Sequence, residues 1–226
     1  MRKTVIVLFA ILCFSNLNAQ TVGGSLVLGL PQGEFKDKVD NVGFGLQLHG
    51  TIFSPSTLSP FTIGANLGYM VYGNESSTRP LSETIPDIMV DVNRTNNIAH
   101  FHILFQVSPF NTRVRPYIEG LFGGAYLFTT TKVESRNSGQ NVFESTNYDS
   151  FTWSYGYGGG LLIKLKEGLG SVSELFLDLK ARYIYGTEAQ YLKEGSVRIV
   201  GGRAIYDVQK SKTDLITLNI GVVAYF

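Results

Sequence analysis

The final twelve residues, LITLNIGVVAYF (215–226), end the chain on an aromatic side chain. Apolar residues occupy every second position: Ile216, Leu218, Ile220, Val222, Ala224 and Phe226. A period of two predicts a β-strand, because successive side chains of a strand point to opposite faces. Chain ends usually fray unless the fold holds them. A strand that reaches the last residue therefore predicts that the end of this chain is paired within a sheet.

The same alternation occurs in seven earlier segments: 22–30, 42–53, 61–73, 97–107, 114–133, 151–166 and 173–187. Three connections, SPSTLSP, PFNTR and EGLGSV, are short and rich in turn-forming residues. The other four, 31–41, 74–96, 134–150 and 188–213, are long and polar. This rhythm predicts an all-β fold, an eight-stranded antiparallel up-and-down barrel with short turns at one end and long loops at the other. The last strand would pair with the first.

The two faces of these strands differ in a way that bears on their surroundings. The apolar faces carry aromatic residues near the strand ends, such as Trp153 and Tyr185, whereas the opposite faces carry glycine and mid-strand charges. Lipid surrounds a membrane barrel, so its apolar faces point outward, and its aromatic residues form girdles at the interfaces. Strands without covering helices must also close in lipid. We therefore expect a transmembrane β-barrel, with a secreted soluble barrel as the alternative.

The N-terminus has the layout of a secretory signal peptide. Arg2 and Lys3 precede the apolar run TVIVLFAILCF, and SNLNA follows it. We expect cleavage after Ala19, so that residues 1–19 are the signal peptide and 20–226 the barrel domain. Cys13, the single cysteine, would be removed with that peptide. The remaining chain would carry 17 basic and 18 acidic residues, which gives no reason to expect nucleic acid as a partner.

The chain resembles the small outer-membrane β-barrels of the porin-like superfamily, the OmpX/OmpA-type eight-stranded kind. The resemblance rests on NLNAQ at the end of the signal peptide, on RPYIEGLFGGAYLF and SYGYGGGLLIKL, and on the terminal LNIGVVAYF. It implies location in the bacterial outer membrane, contact with outer-membrane lipids, and periplasmic termini and short turns. It also implies that barrel insertion machinery reads the last strand. That role falls on Leu218, Ile220, Val222, Ala224 and Phe226.

Charged residues on the inward faces predict a polar network in the lumen. The interior of an eight-stranded barrel is just wide enough for side chains to fill it, so we expect a plugged lumen. Buried charges require partners. If PFNTR centres near Asn111, Glu119 lies opposite His102 or Leu104. The predicted network comprises His102, Glu119, Lys164, Asp178, Lys180 and Arg182. A gated path for small ions, or a pH-sensing histidine, is the alternative.

Catalysis and metal binding have weaker support. His100 and His102 share one strand face, but two histidines alone are weak evidence for a metal. With Ser154 they are the candidates for a rim-active lipid A-modifying enzyme, although motifs of the deacylase and palmitoyl-transferase barrels are absent. GYGGG at 156–160 is followed by no helix, so a phosphate loop is not expected. We expect no catalytic, cofactor or metal site.

The long loops are the candidate surface for partners. The stretch SVRIVGGRAIYDVQK predicts a hairpin with its turn at Gly201 and Gly202, which would protrude beyond the membrane. Such an edge suits an extracellular ligand or protein. We therefore expect a monomeric, non-enzymatic barrel with a structural or surface-interaction role. The alternatives are the lipid A-modifying enzyme, a component of an export or assembly complex, and a narrow small-solute channel.

Overall fold

The computed structural model describes residues 21–53, 60–82, 85–108, 112–135, 141–200 and 203–226. The predicted signal peptide therefore lies outside the described residues. The elements are β1 (Thr21–Pro31), α1 (Gly33–Lys38), β2 (Gly43–Thr51), β3 (Phe61–Ser82), β4 (Ile85–Val107), β5 (Val114–Ser135), β6 (Asn141–Leu169), β7 (Val172–Gly186), β8 (Glu188–Tyr191), β9 (Val197–Val200), β10 (Arg203–Tyr206), β11 (Gln209–Lys212) and β12 (Leu215–Tyr225). Among the described residues, no helix is long and apolar enough to cross a membrane.

Eight strands close into one barrel in the order β1–β12–β7–β6–β5–β4–β3–β2. Every neighbouring pair is antiparallel, so the predicted up-and-down barrel is confirmed. The last strand closes the ring, with Tyr225 opposite Thr21 and Leu215 opposite Pro31. Its other edge pairs with β7. Hydrogen bonding on both edges holds the end of the chain in place.

The barrel has two unlike ends, which we call the short-turn end and the hairpin end. Both ends of the described chain lie at the short-turn end, where Leu169 and Val172 flank a tight turn. Gly170 in this turn has φ of 63°, a left-handed conformation that glycine adopts without strain. At the hairpin end, β3 pairs with β4 as far as Ser82 and Ile85. The predicted asymmetry of connections is therefore present.

Two of the predicted long loops are instead continuations of the barrel strands. Segment 74–96 belongs to β3 and β4, and most of 134–150 belongs to β5 and β6, apart from residues 83–84 and 136–140, which lie outside the described residues. The strands therefore extend further than the predicted ends at 73, 97 and 151. Antiparallel backbone pairing continues without needing an apolar face. Polar residues interrupt the apolar positions in these segments, so the strand signal of the sequence was weak.

Segment 188–213 forms two small sheets beyond the barrel. Strand β8 pairs with β11, and β9 pairs with β10. Val200 lies opposite Arg203, which confirms the predicted hairpin, while Gly201 and Gly202 themselves lie outside the described residues.

Segment 31–41, predicted as a polar loop, contains α1. A helix of six residues is not stable by itself. Tertiary contacts hold it: Phe35 is fully buried, and Glu34 accepts a hydrogen bond of 3.1 Å from the backbone N–H of Lys212.

Candidate functional site: the lumen and the outer wall

A layer of paired charges crosses the middle of the barrel. Arg182 of β7 donates a hydrogen bond from Nε to Glu119 of β5, and both side chains are at most 1% exposed. Lys180 Nζ lies 2.8 Å from Asp178 Oδ2, and these side chains are equally buried. The hydroxyl of Tyr117 donates to Asp178 Oδ1 at 2.6 Å. The structure thus brings together four of the six predicted network residues as two ion pairs.

Neutral polar side chains surround this layer. The Arg182 guanidinium also donates to Asn66 Oδ1 at 3.2 Å, so β3, β5 and β7 are joined across the lumen. Asn66 and Tyr117 occupy inward positions in the alternation of segments 61–73 and 114–133, but the sequence predicted no role for either. Their alternation with outward apolar residues indicated that they face inward. It could not identify their partners, because a partner on a distant strand leaves no pattern in the local sequence.

All three histidines of the chain point into the lumen. His102 Nε2 lies 2.6 Å from Ser154 Oγ, His100 Nε2 lies 3.3 Å from the Gln47 amide, and Lys180 Nζ lies 3.5 Å from His49 Nδ1. Glycines make room for two of the rings, because a Cβ at Gly23 or Gly68 would collide with His49 or His100. Predicted network residue His102 is therefore lumenal, but its hydrogen-bond partner is a serine.

Lys164 lies elsewhere. It is at the short-turn end, where Lys164 Nζ contacts Glu174 at 2.5 Å and Glu167 at 2.7 Å. Arg115 also pairs with Glu174, at 2.7 Å, and stacks over Phe176 with 4.4 Å to the ring centroid. Lys164 therefore belongs to a rim cluster, separate from the mid-lumen pairs. A register shift of β6 against β7 between Lys164 and Lys166 interrupts the inward and outward alternation at this point.

The register of β4 and β5 also differs from the prediction. Glu119 lies opposite Gln106, and His102 lies opposite Gly123. The predicted centre of the turn at Asn111 was too early, so every expected cross-strand pair was displaced. Turn residues indicate that a hairpin exists, but the pairing of a strand is also set by its other neighbour and by closure of the ring.

The His102–Ser154 pair lacks the other parts of a nucleophilic site. A serine nucleophile needs a base that is oriented by a third group. His102 Nδ1 has no hydrogen-bond partner among the described residues. The adjoining cavity, which His100, His102 and Ser154 line, measures about 20 Å³, enough for about one water molecule. In the described part of the chain, no group of three or more histidine, cysteine or acidic side chains is placed to hold a metal.

Three aromatic side chains pack together at the hairpin end. Phe35 of α1 packs edge-on against Tyr191, with ring centroids 5.1 Å apart, and against Tyr72 at 5.7 Å. All three are at most 2% exposed. We call Phe35, Tyr72 and Tyr191 the aromatic cap. No signal in the sequence indicated it, because Phe35 and Tyr191 lie outside the predicted strands and Tyr72 lies at the end of one.

Beyond the cap, the small sheets carry solvent-exposed charges. Lys210 Nζ lies 2.8 Å from Glu188 Oε2, and this hydrogen bond holds the pKa of the Glu188 carboxyl below its usual range. Both side chains are more than half exposed.

The outer wall of the barrel is apolar. Its most exposed large side chains include Leu26, Phe44 and Ile118, which are 62–66% exposed. Charged side chains meanwhile lie buried inside, the reverse of a water-soluble barrel. The fold is that of a small outer-membrane β-barrel. Aromatic side chains cluster on the wall toward the hairpin end, where Tyr157 stacks on Tyr183 at 6.3 Å and Phe122 on Trp153 at 6.0 Å.

The predicted assembly-signal residues lie on this outer-membrane-type wall. Four of their side chains are 44–54% exposed: Leu218, Ile220, Val222 and Phe226. The side chain of Ala224 is half-buried. Strand β12 spans about 28 Å along the barrel axis, at ~3.3 Å per residue and the ~40° tilt usual for such barrels. This height is close to the ~25 Å apolar band of outer-membrane barrels.

Comparison with known proteins adds three solved outer-membrane structures. Neisserial surface protein A is 11% identical, with a TM-score of 0.42, and the match covers 91% of this chain and 96% of that one. Ail of Yersinia pestis, solved with the heparin analogue sucrose octasulfate, is 14% identical, with a TM-score of 0.35 and coverage of 91% and 96%. A major outer membrane protein of Thermus thermophilus is 11% identical, with a TM-score of 0.35 and coverage of 91% and 98%. No family model matches the chain, and no curated protein matches it in sequence.

Proposed function

We propose that this chain is a monomeric, non-enzymatic protein of the bacterial outer membrane that acts at the cell surface. The inverted barrel carries the proposal: exposed leucine and phenylalanine side chains cover the wall, and Glu119, Asp178, Lys180 and Arg182 lie paired inside. An apolar surface of this extent is stable only where lipid replaces water. Residues 1–19 serve as the cleaved export signal, and lipids surround residues 20–226.

In this orientation the short turns are periplasmic and the hairpin end is extracellular. The outward side chains of β12, ending at Phe226, form the signal read by the insertion machinery. The extracellular hairpins then carry the surface interaction, with a ligand or a protein as partner. The pairing of these hairpins supports this role. Strands β3 to β6 continue as paired strands well beyond the apolar band, and the paired extensions present a stable extracellular surface.

The lumen of this barrel is closed by side chains. Among the inward side chains of the described residues, two cavities measure about 10 Å³ and 20 Å³, and the aromatic cap lies above them. A water molecule needs about 10–15 Å³ of such volume, so neither cavity admits a hydrated ion. Planar-bilayer recording should therefore show no ohmic conductance. Steady conductance above the bilayer background would instead support the narrow small-solute channel.

The first test of the proposal is cell fractionation combined with electrophoretic heat-modifiability. A folded membrane barrel resists detergent and migrates differently when it is not boiled. We expect the protein in the outer-membrane fraction and a mobility shift on boiling. A soluble periplasmic protein without a shift would contradict the membrane assignment.

Arginine substitutions at two depths of β1 test which solvent the wall faces. Leu26→Arg lies at mid-height, and we expect it to lower the free energy of unfolding in lipid vesicles by about 2–4 kcal/mol. Val22→Arg lies near the periplasmic rim and should cost only about 0–1 kcal/mol. Both native side chains are already exposed, at 62% and 46%. In a water-soluble protein both substitutions would change stability by only about 0.5 kcal/mol, which is the outcome that would refute lipid contact.

Removal of the terminal aromatic tests the assembly signal. In cells, Phe226→Ala should reduce the amount of folded barrel in the outer membrane several-fold, because the insertion machinery no longer recognises β12. Phe61→Ala removes another exposed aromatic from the same end of the barrel (66% exposed, against 54% for Phe226) and serves as the control. Both purified variants should refold in detergent with similar yields. An equal loss in cells for both variants would show that Phe226 acts only as a lipid contact.

A further inference from the structure

A polar pocket of about 170 Å³ opens at the hairpin end. The end of α1 and the segment after it form one wall with Lys38, Asp40 and Asn41. The segment between β8 and β9 forms the other wall with Lys193 and Glu194. Tyr72 of the aromatic cap and the buried Asn96 also line the pocket. It is smaller than the ~300–1,000 Å³ of sites for drug-sized ligands, so it suits a molecule of about one ring.

The pocket is built on rigid supports. Glu194 Oε1 accepts the backbone N–H of Asn74 at 2.8 Å, and Glu75 Oε2 accepts the backbone N–H of Gly195 at 3.1 Å. This reciprocal pair of hydrogen bonds fastens the β8–β9 segment to β3. The Tyr72 hydroxyl also donates to the carbonyl of Leu192 at 3.1 Å. The walls are therefore in place before a ligand arrives.

Several polar groups of the pocket are available for a ligand. Within the described ranges, the side chains of Lys38, Asp40 and Lys193 have no hydrogen-bond or ion-pair partner. The Lys38 and Asp40 side chains are exposed, and that of Lys193 is half-buried. These groups can form hydrogen bonds to a ligand without breaking an existing contact of the fold.

The arrangement of charge indicates the chemistry of the ligand. Each wall carries one lysine and one carboxylate, so neither wall is a positive or a negative pole. An anionic ligand would meet Asp40 and Glu194, and a cationic ligand would meet Lys38 and Lys193. A zwitterion needs a positive region and a negative region that are separated in the pocket, and such separated regions are absent. A sugar hydroxyl both donates and accepts, so it can bind to ammonium, carboxylate and amide groups on either wall.

We propose that this pocket binds one uncharged saccharide unit at the cell surface. The proposal rests on the proposed function, because that function places the hairpin end outside the cell. It gives the surface interaction a site and a ligand class.

The test is saccharide binding by the refolded mature chain. Glucose, galactose and N-acetylglucosamine are the neutral probes, and glucuronic acid, glucosamine and glucose 6-sulfate are the charged comparators. The detergent must lack a sugar headgroup, since a maltoside would compete. We expect at least one neutral sugar to bind with a Kd on the order of 1 mM, as a small polar ligand in a half-open site allows. Binding is read by ligand-observed NMR.

Two variants locate the binding site. Asp40→Ala and Lys193→Ala should each weaken binding at least tenfold. Glu188→Ala and Lys210→Ala also remove one carboxylate and one lysine, but from an exposed ion pair elsewhere on the extracellular side, and should bind like wild type. Heat-modifiability checks that all four variants fold.

Three results would overturn the proposal: no binding of any neutral sugar, stronger binding of the charged sugars, or unchanged binding by Asp40→Ala and Lys193→Ala. These failures are distinguishable from failure of the proposed function. A barrel that fractionates with the outer membrane but binds no sugar refutes the saccharide site alone. A chain that is not in the outer membrane refutes the proposed function.

Discussion

Replacing Glu119 by glutamine will lower the free energy of unfolding by about 3–5 kcal/mol, because removing one partner of a buried ion pair leaves an uncompensated charge. The side chain of Arg182, the partner, is fully buried, so water cannot replace the lost carboxylate. The second ion pair cannot replace it either, because Asp178 already binds Lys180 and the Tyr117 hydroxyl. Denaturant unfolding in lipid vesicles measures the loss.

Two further variants test this interpretation. The double variant Glu119→Gln/Arg182→Met removes both charges, so it should recover a large part of the stability lost in the single variant. Glu188→Gln breaks an exposed pair and should cost only about 0.2–1 kcal/mol. A cost for Glu119→Gln as small as that for Glu188→Gln would show that the middle of the lumen is hydrated. Closure of the lumen by side chains would then be wrong.

Replacing Phe35 by alanine should cost about 3–5 kcal/mol, the usual loss when a buried aromatic side chain is truncated. Phe35 is fully buried and contacts both Tyr72 and Tyr191. Its ring is also the apolar anchor of α1, so exchange of the Val39 amide, which donates to the carbonyl of Phe35 at 2.7 Å, should accelerate strongly. Denaturant unfolding and hydrogen exchange measure the two effects.

The matched control lies on the same helix. Lys36→Ala removes an exposed side chain one residue away and should change stability by less than about 0.5 kcal/mol. If Phe35→Ala behaves like Lys36→Ala in both measurements, α1 is not anchored in the mouth of the barrel. The aromatic cap would then contribute nothing to closure.

Much of the barrel could be predicted because one local rule applies along each strand. The direction of a side chain depends on the pleat of its own backbone, so alternation alone placed Glu119, Asp178 and Arg182 on inward faces. The same rule failed for Lys164, where a register shift in the sheet interrupts the alternation. It also gave only a weak signal for the extended hairpins, because polar residues interrupt their apolar positions.

Sequence by itself determined the number and order of the barrel strands, most of their inward and outward faces and the closure by β12, because each depends on local alternation and on the order of turns. Only the tertiary structure decided which side chains meet across the lumen. Arg182 finds Glu119 63 positions away, and Phe35 finds Tyr191 in a segment that forms no part of the barrel wall. Such pairs depend on register, ring closure and the docking of loops. Those are properties of the whole assembly of strands, so no short stretch of sequence encodes them.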